Sequence, residues 1–196
     1  MKIKLFAVLA SMLIVYAFRP ATTDTFAVDT KASSIQWISG KVGGSHKGSI
    51  KIAAGNLIAE GNSLRGGDFT IDMRSIVIAD LKGTSNQSLL NHLKSEDFFS
   101  VAKNPTAIFK ITNISPAGTD RLNITGNLTI KGITNSITFP ASVKIQKNTL
   151  VAVAKGVRVD RTKYDIKYRS MSFFGDIGDK AIDDEFELAI NLVAKK

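Results

Sequence analysis

Chemistry in this chain would have to come from very few side chains. The 196 residues contain two histidines, His46 in Gly-Ser-His-Lys-Gly and His92 in Asn-His-Leu-Lys-Ser, and no cysteine. Two imidazoles joined by a carboxylate could hold a metal or serve an acid–base site. An imidazole at a cavity mouth could instead meet a polar head group. The plainer alternative has His46 capping a turn and His92 bonding a backbone carbonyl. A third candidate is the run Asp160-Arg161-Thr162-Lys163-Tyr164-Asp165. Its arginine could bind a phosphate or quinone head bidentately, or the run could form a turn with surface ion pairs. Arg158, just upstream, is a further head-group candidate. The chain has no nucleophile elbow, zincin motif, phosphate-binding loop or dinucleotide fingerprint, and no enzyme is expected. The absence of cysteine removes disulfides, thiolate metal sites and thiol nucleophiles.

Elements that could position these groups are mostly strands. Leu64 to Met73, Ala107 to Thr112, Leu122 to Ile130, Ile137 to Ile145 and Glu185 to Leu192 alternate apolar and polar residues, the mark of strands with one buried face. Ser34 to Val42 reads as a strand and His46 to Glu60 as two weaker segments hinged near Gly55-Asn56. Turn signals separate them at Gly61-Asn62, Pro116-Gly118, Lys131-Gly132 and Lys147-Asn148. Short connections imply antiparallel pairing, and a long one-faced sheet must close or stack. A barrel of about eight strands encloses packed side chains or one ligand. A single amphipathic helix interrupts the strands. Thr84 and Gln87 fit a capping box, Leu89, Leu90 and Leu93 form its stripe, and Phe98-Phe99 follow before Asn104-Pro105 ends the segment. It reads as a lid or plug. A transmembrane barrel would turn its apolar face outward with aromatic girdles; here aromatics are 8% and lysine, aspartate and asparagine point outward.

Met1 to Phe18 carries Lys2 and Lys4 ahead of an apolar run, a signal-peptide pattern with cleavage expected after Ala17 or Ala21. The domain then starts at Phe26 after a polar spacer, Thr22 to Thr25, and runs to Lys196. Export to the periplasm or outside the cell follows. The net charge of +9, or +6 without Lys2, Lys4 and Arg19, is spread rather than clustered. A diffuse field favours contact with anionic membrane surfaces and leaves nucleic acid as a disfavoured partner. Pairing of barrels into a homodimer stays open.

Several motifs together resemble the YceI-like family of exported, lipocalin-like lipid-binding proteins. They are Gly44 to Gly48, Phe69-Thr70-Ile71-Asp72-Met73, His92 to Phe99, Asn104 to Phe109, Gly126 to Thr134, Asp160 to Asp165 and Phe173-Phe174. Ser100 stands where that family often has aspartate. The resemblance implies an all-β, antiparallel eight-stranded lipocalin-like barrel with one short amphipathic helix. It implies a carrier without a cofactor, holding an isoprenoid, a quinone or a similar amphiphile. Inward-facing positions then give the candidate ligand contacts: Trp37, Phe69, Leu93, Phe98, Phe99, Phe109, Ile124, Leu128 and Phe139, with His46, His92 and Arg158 for the head group. Phe173-Phe174 would line the pocket or close one end of the barrel.

Overall fold

The computed structural model describes residues 22–175 and 177–196; the expected leader lies outside them. The strands are β1 (Thr23–Val28), β2 (Ser34–Lys41), β3 (Gly44–Glu60), β4 (Ser63–Ile78), β5 (Thr106–Pro116), β6 (Leu122–Ile130), β7 (Ile133–Gln146), β8 (Thr149–Asp160) and β9 (Ile182–Lys195). Helix α1 (Gly83–Lys94) joins β4 to β5, and a short α2 (Met171–Phe174) sits between β8 and β9.

Every strand pairing is antiparallel, in the order β1-β3-β2-β9-β8-β7-β6-β5-β4, and β3 also pairs with β4 to close the ring. Strands β1 and β2 share one position. The upper half of β3, from Gly44 to Ile50, pairs with β2, and its lower half, from Asn56 to Glu60, pairs with β1. The result is the expected barrel of eight positions. Closure removes the exposed edges that an open sheet would present.

Two stretches differ from the sequence expectation. The polar spacer is already strand, since Thr23, Asp24 and Thr25 pair with Glu60, Ala59 and Ile58. Ladder pairing with β3 outweighs the weak strand preference of Asp24, and the two threonines are themselves good strand formers. His46 to Glu60 belongs to one continuous strand, bulged at three points rather than broken at Gly55. Bulges let a long strand coil round a barrel without losing its partner. Gly55 is needed for space, because a Cβ there would lie 2.7 Å from the Phe69 Cβ.

The α1 capping box is not formed either. Lys82 is the N-cap, without a side-chain cap bond. Asn86 fastens the helix start instead, its Nδ2–H donating to the Ile78 and Leu81 carbonyls. Gln87 donates to Asn91 one turn on. Leu93 is buried, while Leu89 and Leu90 are half-buried against the core. Turns after the helix bury Phe98, and Ser100 adopts a left-handed φ of 47°.

Inside the barrel the alternation holds. Phe69, Ile71 and Met73 on β4, Ala107 and Phe109 on β5, and Ile124, Leu128 and Ile130 on β6 are all buried. Phe109 lies at the middle of an aromatic layer, 5.4 Å from Phe69 and 5.5 Å from Phe139, ring centre to ring centre. Gly126, diagonal to it on β6, has no side chain to fill the space the ring occupies. Lys131 and Gly132, both at positive φ, make the tight β6–β7 turn. Such turns match strand twist in two-residue hairpins.

A candidate lipid cavity at the helix end of the barrel

One end of the barrel is roofed. Helix α1 and the segment from Arg161 to Tyr168 cover it, joined by a ring contact of 4.4 Å between His92 and Tyr168. The segment is tied down at β6 and β7. Lys131 Nζ donates to the Asp165 carbonyl and Asn135 Nδ2 to the Lys163 carbonyl. Beneath the roof is a cavity of about 120 Å³. Its lip is at the β2–β3 hairpin, formed by Ser39, Gly40, Lys41 and His46. A second hollow of about 40 Å³ lies deeper.

The candidate residues divide between the two. Trp37, His46, His92, Leu93, Phe98, Phe99 and Leu128 line the upper cavity. Phe69, Phe109, Ile124 and Phe139 line the lower one. The boundary falls between Phe69 and Ile71 on β4 and between Phe109 and Ala107 on β5, so the aromatic layer is the partition. Sequence reading overlooked Met73, Phe186 and Leu188 as lining residues of the upper cavity. Their signal was the same inward alternation that identified the others.

Arg158 is a correction. It lines neither cavity, its side chain is 73% exposed, and its Nε pairs with Glu185 at 2.9 Å on the outer surface. The neighbours Val157 and Val159 are buried, so strict alternation turns Arg158 outward. The arginine at the cavity is Arg161, with a side chain only 1% exposed. Its Nη1 donates to the Ile166 carbonyl at 2.7 Å, and its Nε and Nη2 donate to the Asp183 and Ile182 carbonyls, each at 2.9 Å. Asp184 is 3.5 Å away and the guanidinium lies 5.7 Å from the Phe98 ring centre. Burial pulls its pKa down, while Asp184, Asp160 and Asp183 oppose that. Bound in this way, Arg161 clamps the β8–β9 connection, with Nε, Nη1 and Nη2 each donating to a backbone carbonyl. The run does form the expected turn, with exposed pairs of Lys163 to Asp160 and Lys167 to Asp165; Arg161 departs from that reading because it is buried and bonded to backbone carbonyls. Asp160 caps the following 3-10 turn by accepting from the Thr162 N–H, and Tyr164 is buried, which pushes its hydroxyl up to about 12.

His46 and His92 both reach the upper cavity but are held differently. His46 Nδ1 lies 2.7 Å from Asp80 Oδ2, and the Lys47 N–H donates to Asp80 Oδ1 at 2.9 Å. Burial would raise the Asp80 carboxyl, but these two hydrogen bonds outweigh it and hold the group below its ordinary value. His92 packs between Phe98 and Tyr168, and its Nε2, like Trp37 Nε1, is buried without a partner. Among the described residues no group of three or more His, Asp or Glu side chains gathers where a metal could sit. The remaining lining is almost wholly apolar. Phe173 and Phe174 line neither hollow. They stand 51% and 59% exposed on α2, beside Met171 at 52%.

Known proteins share this architecture. Residues 26–194 match the family model of the YceI-like domain. A UPF0312 protein of Pseudomonas paraeruginosa is 38% identical over 90 residues, 42% of this chain and 47% of the relative. Protein YceI of Salmonella arizonae is 35% identical over 85 residues, 39% of this chain and 44% of the relative. These matches span under half the length of the curated relatives. Among solved structures, Burkholderia cenocepacia BcnA aligns over 86% of this chain and 99% of its own, with a TM-score of 0.69 at 22% identity. A polyisoprenoid binding domain from Saccharophagus degradans aligns over 87% and 97%, with a TM-score of 0.59 at 14% identity. At such identities the structural likeness is one of fold. The family match extends across nearly all of the described barrel, and the chain belongs to the YceI-like family.

Proposed function

We propose that this protein is an exported carrier or store for a long-chain isoprenoid or similar amphiphile, held tail-first in the upper cavity. The observation that carries the reading is the cavity itself, lined almost wholly by apolar side chains, with Ser39, Lys41 and His46 of the β2–β3 hairpin as its polar edge. The fold likeness to a polyisoprenoid binding domain supports it. Hydrocarbon gains about 0.8 kcal/mol per methylene moved from water into such a site, so an apolar wall alone supplies affinity.

Size constrains the cargo. An apolar cavity of about 150 Å³ takes one benzene ring, so about 120 Å³ matches roughly one isoprene unit. A longer tail has to part the half-buried side chains Leu89, Phe99 and Phe186 and then the aromatic partition. Cargo exchange at a bilayer is supported by α2, whose Met171, Phe173 and Phe174 present an apolar tip on the same end of the barrel as the lip. Side chains of this kind insert at the headgroup boundary.

The test is native mass spectrometry of the protein recovered after export, with extraction and identification of what leaves it. An adduct with the mass of an isoprenoid or other long amphiphile is expected, together with loss of the leader. A chain that copurifies with no lipid, and takes up none from farnesol-loaded vesicles, would overturn the proposal. Retention of Met1 in the mature protein would count against leader cleavage.

A further inference from the structure

The lip of the cavity carries an arrangement that the lipid-binding reading leaves unused. Ser39 and His46 are directly opposed in the β2–β3 ladder and both line the cavity. Opposed residues on one face of a ladder have Cβ atoms about 5 Å apart. Asp80, from the β4–α1 connection, holds the histidine from its Nδ1 side at 2.7 Å, and its second oxygen is taken by the Lys47 N–H. An ionised carboxylate only accepts hydrogen bonds. The imidazole must therefore present Nδ1–H to Asp80, and in the neutral ring Nε2 is left with its lone pair. Among the described residues that atom has no hydrogen-bond partner and, unlike His92 Nε2 and Trp37 Nε1, it is not a sealed, unpaired atom. The cavity's contents thus meet an acceptor with a fixed tautomer and, beside it, a hydroxyl that can give or receive.

Resting on the lipid-binding reading, we propose that Ser39, His46 and Asp80 form a head-group subsite that selects an amphiphile whose polar end donates a hydrogen bond. A prenyl alcohol or a fatty amide satisfies it. A quinone, ketone, ether or ester offers only acceptors and leaves Nε2 unmatched. Asp80 is a positioning residue here: it fixes which ring nitrogen carries the proton, while Nε2 and the Ser39 hydroxyl touch the ligand.

Displacement of an apolar fluorescent dye from the full mature chain tests this at pH 8. The probes are farnesol, its methyl ether and farnesylacetone. Wild type should prefer the alcohol to the ether by about fivefold, the scale of one net hydrogen bond. In Asp80→Asn the Lys47 N–H keeps the amide oxygen, and the amide N–H₂ turns to His46 Nδ1. The ring proton then moves to Nε2. The alcohol preference should fall to about one, and the ketone should tighten by a similar factor. His46→Phe should bind alcohol and ether alike and keeps the test available if the Asp80 variant does not fold. Equal binding of alcohol and ether by wild type, or an unchanged preference in folded Asp80→Asn, overturns the subsite alone. Wild type that binds none of the three overturns the lipid reading, and the subsite with it.

Discussion

The partition between the two hollows makes a quantitative prediction about chain length. Phe109 is buried at 2% exposure, its ring between Phe69 and Phe139 at 5.4 and 5.5 Å. Phe109→Ala should cost about 3–5 kcal/mol of stability, as transfer energy is lost and a cavity remains. The same deletion joins the spaces of about 120 and about 40 Å³ through the volume the ring vacates. A tail can then place one more isoprene unit, five carbons, in apolar surroundings. At about 0.8 kcal/mol per buried methylene the gain is up to about 4 kcal/mol, or a thousandfold in affinity. Ordering the extra segment reduces this, so at least about tenfold is expected. Calorimetric titration with prenol, geraniol and farnesol reads it directly. In wild type the step from prenol to geraniol should add little, and in Phe109→Ala it should add at least about tenfold. Saturating geraniol should also restore much of the lost thermal stability, since a ligand bound only to the native state raises its melting point. A variant that stays folded and levels off at the same chain length as wild type would refute the partition argument.

Other residues give sharper yes-or-no outcomes. Arg158→Ala should leave ligand affinity unchanged and cost less than about 1 kcal/mol in denaturant titrations, because its only ion pair is on the surface; a clear loss of binding would return it to the site. Arg161→Met should cost about 3–5 kcal/mol, since it strands three carbonyls and the Asp184 carboxylate, and a melting point within a few degrees of wild type would contradict the clamp. Gly48→Ala should destabilise by about 1–3 kcal/mol, because the added methyl lies 2.7 Å from the Trp37 ring and meets the Val77 carbonyl. Burial would raise the carboxyls of Asp80 and Asp184, yet both are held below their ordinary value of 3.8, by the Lys47 N–H and His46 for the first and by the Ser172 hydroxyl and Arg161 for the second. A depressed carboxyl contributes fully above the unfolded value, and the contribution is lost as pH falls through the folded one. Stability should therefore hold above about pH 4 and fall below it. The Asp80→Asn and Asp184→Asn double variant should show a flatter acid limb in urea titrations at stepped pH.

What the sequence disclosed, and what it hid, follows the range of the interactions involved. Period-two alternation is a local signal, and it placed Phe69, Phe109, Ile124, Leu128 and Phe139 inward without any partner strand being known. Strand continuity is different. Gly55 and the bulges of β3 look like interruptions because nothing local shows that β4 supplies ladder bonds on one side and that β1 and β2 share the other. Those pairings close the ring, and the same closure turns Thr23 to Thr25 into strand. The pairing behind the proposed head-group subsite was hidden for a related reason. His46 and Asp80 are 34 residues apart, so no spacing rule joins them. Arg158 and Arg161 show the two regimes within one turn of chain. The valines flanking Arg158 were enough to send it outward. Arg161 is buried only because carbonyls from Ile166, Ile182 and Asp183 converge on it after the chain has doubled back. A single charged residue can enter an apolar lining when the backbone supplies its hydrogen-bond acceptors, and that condition is set by tertiary structure alone.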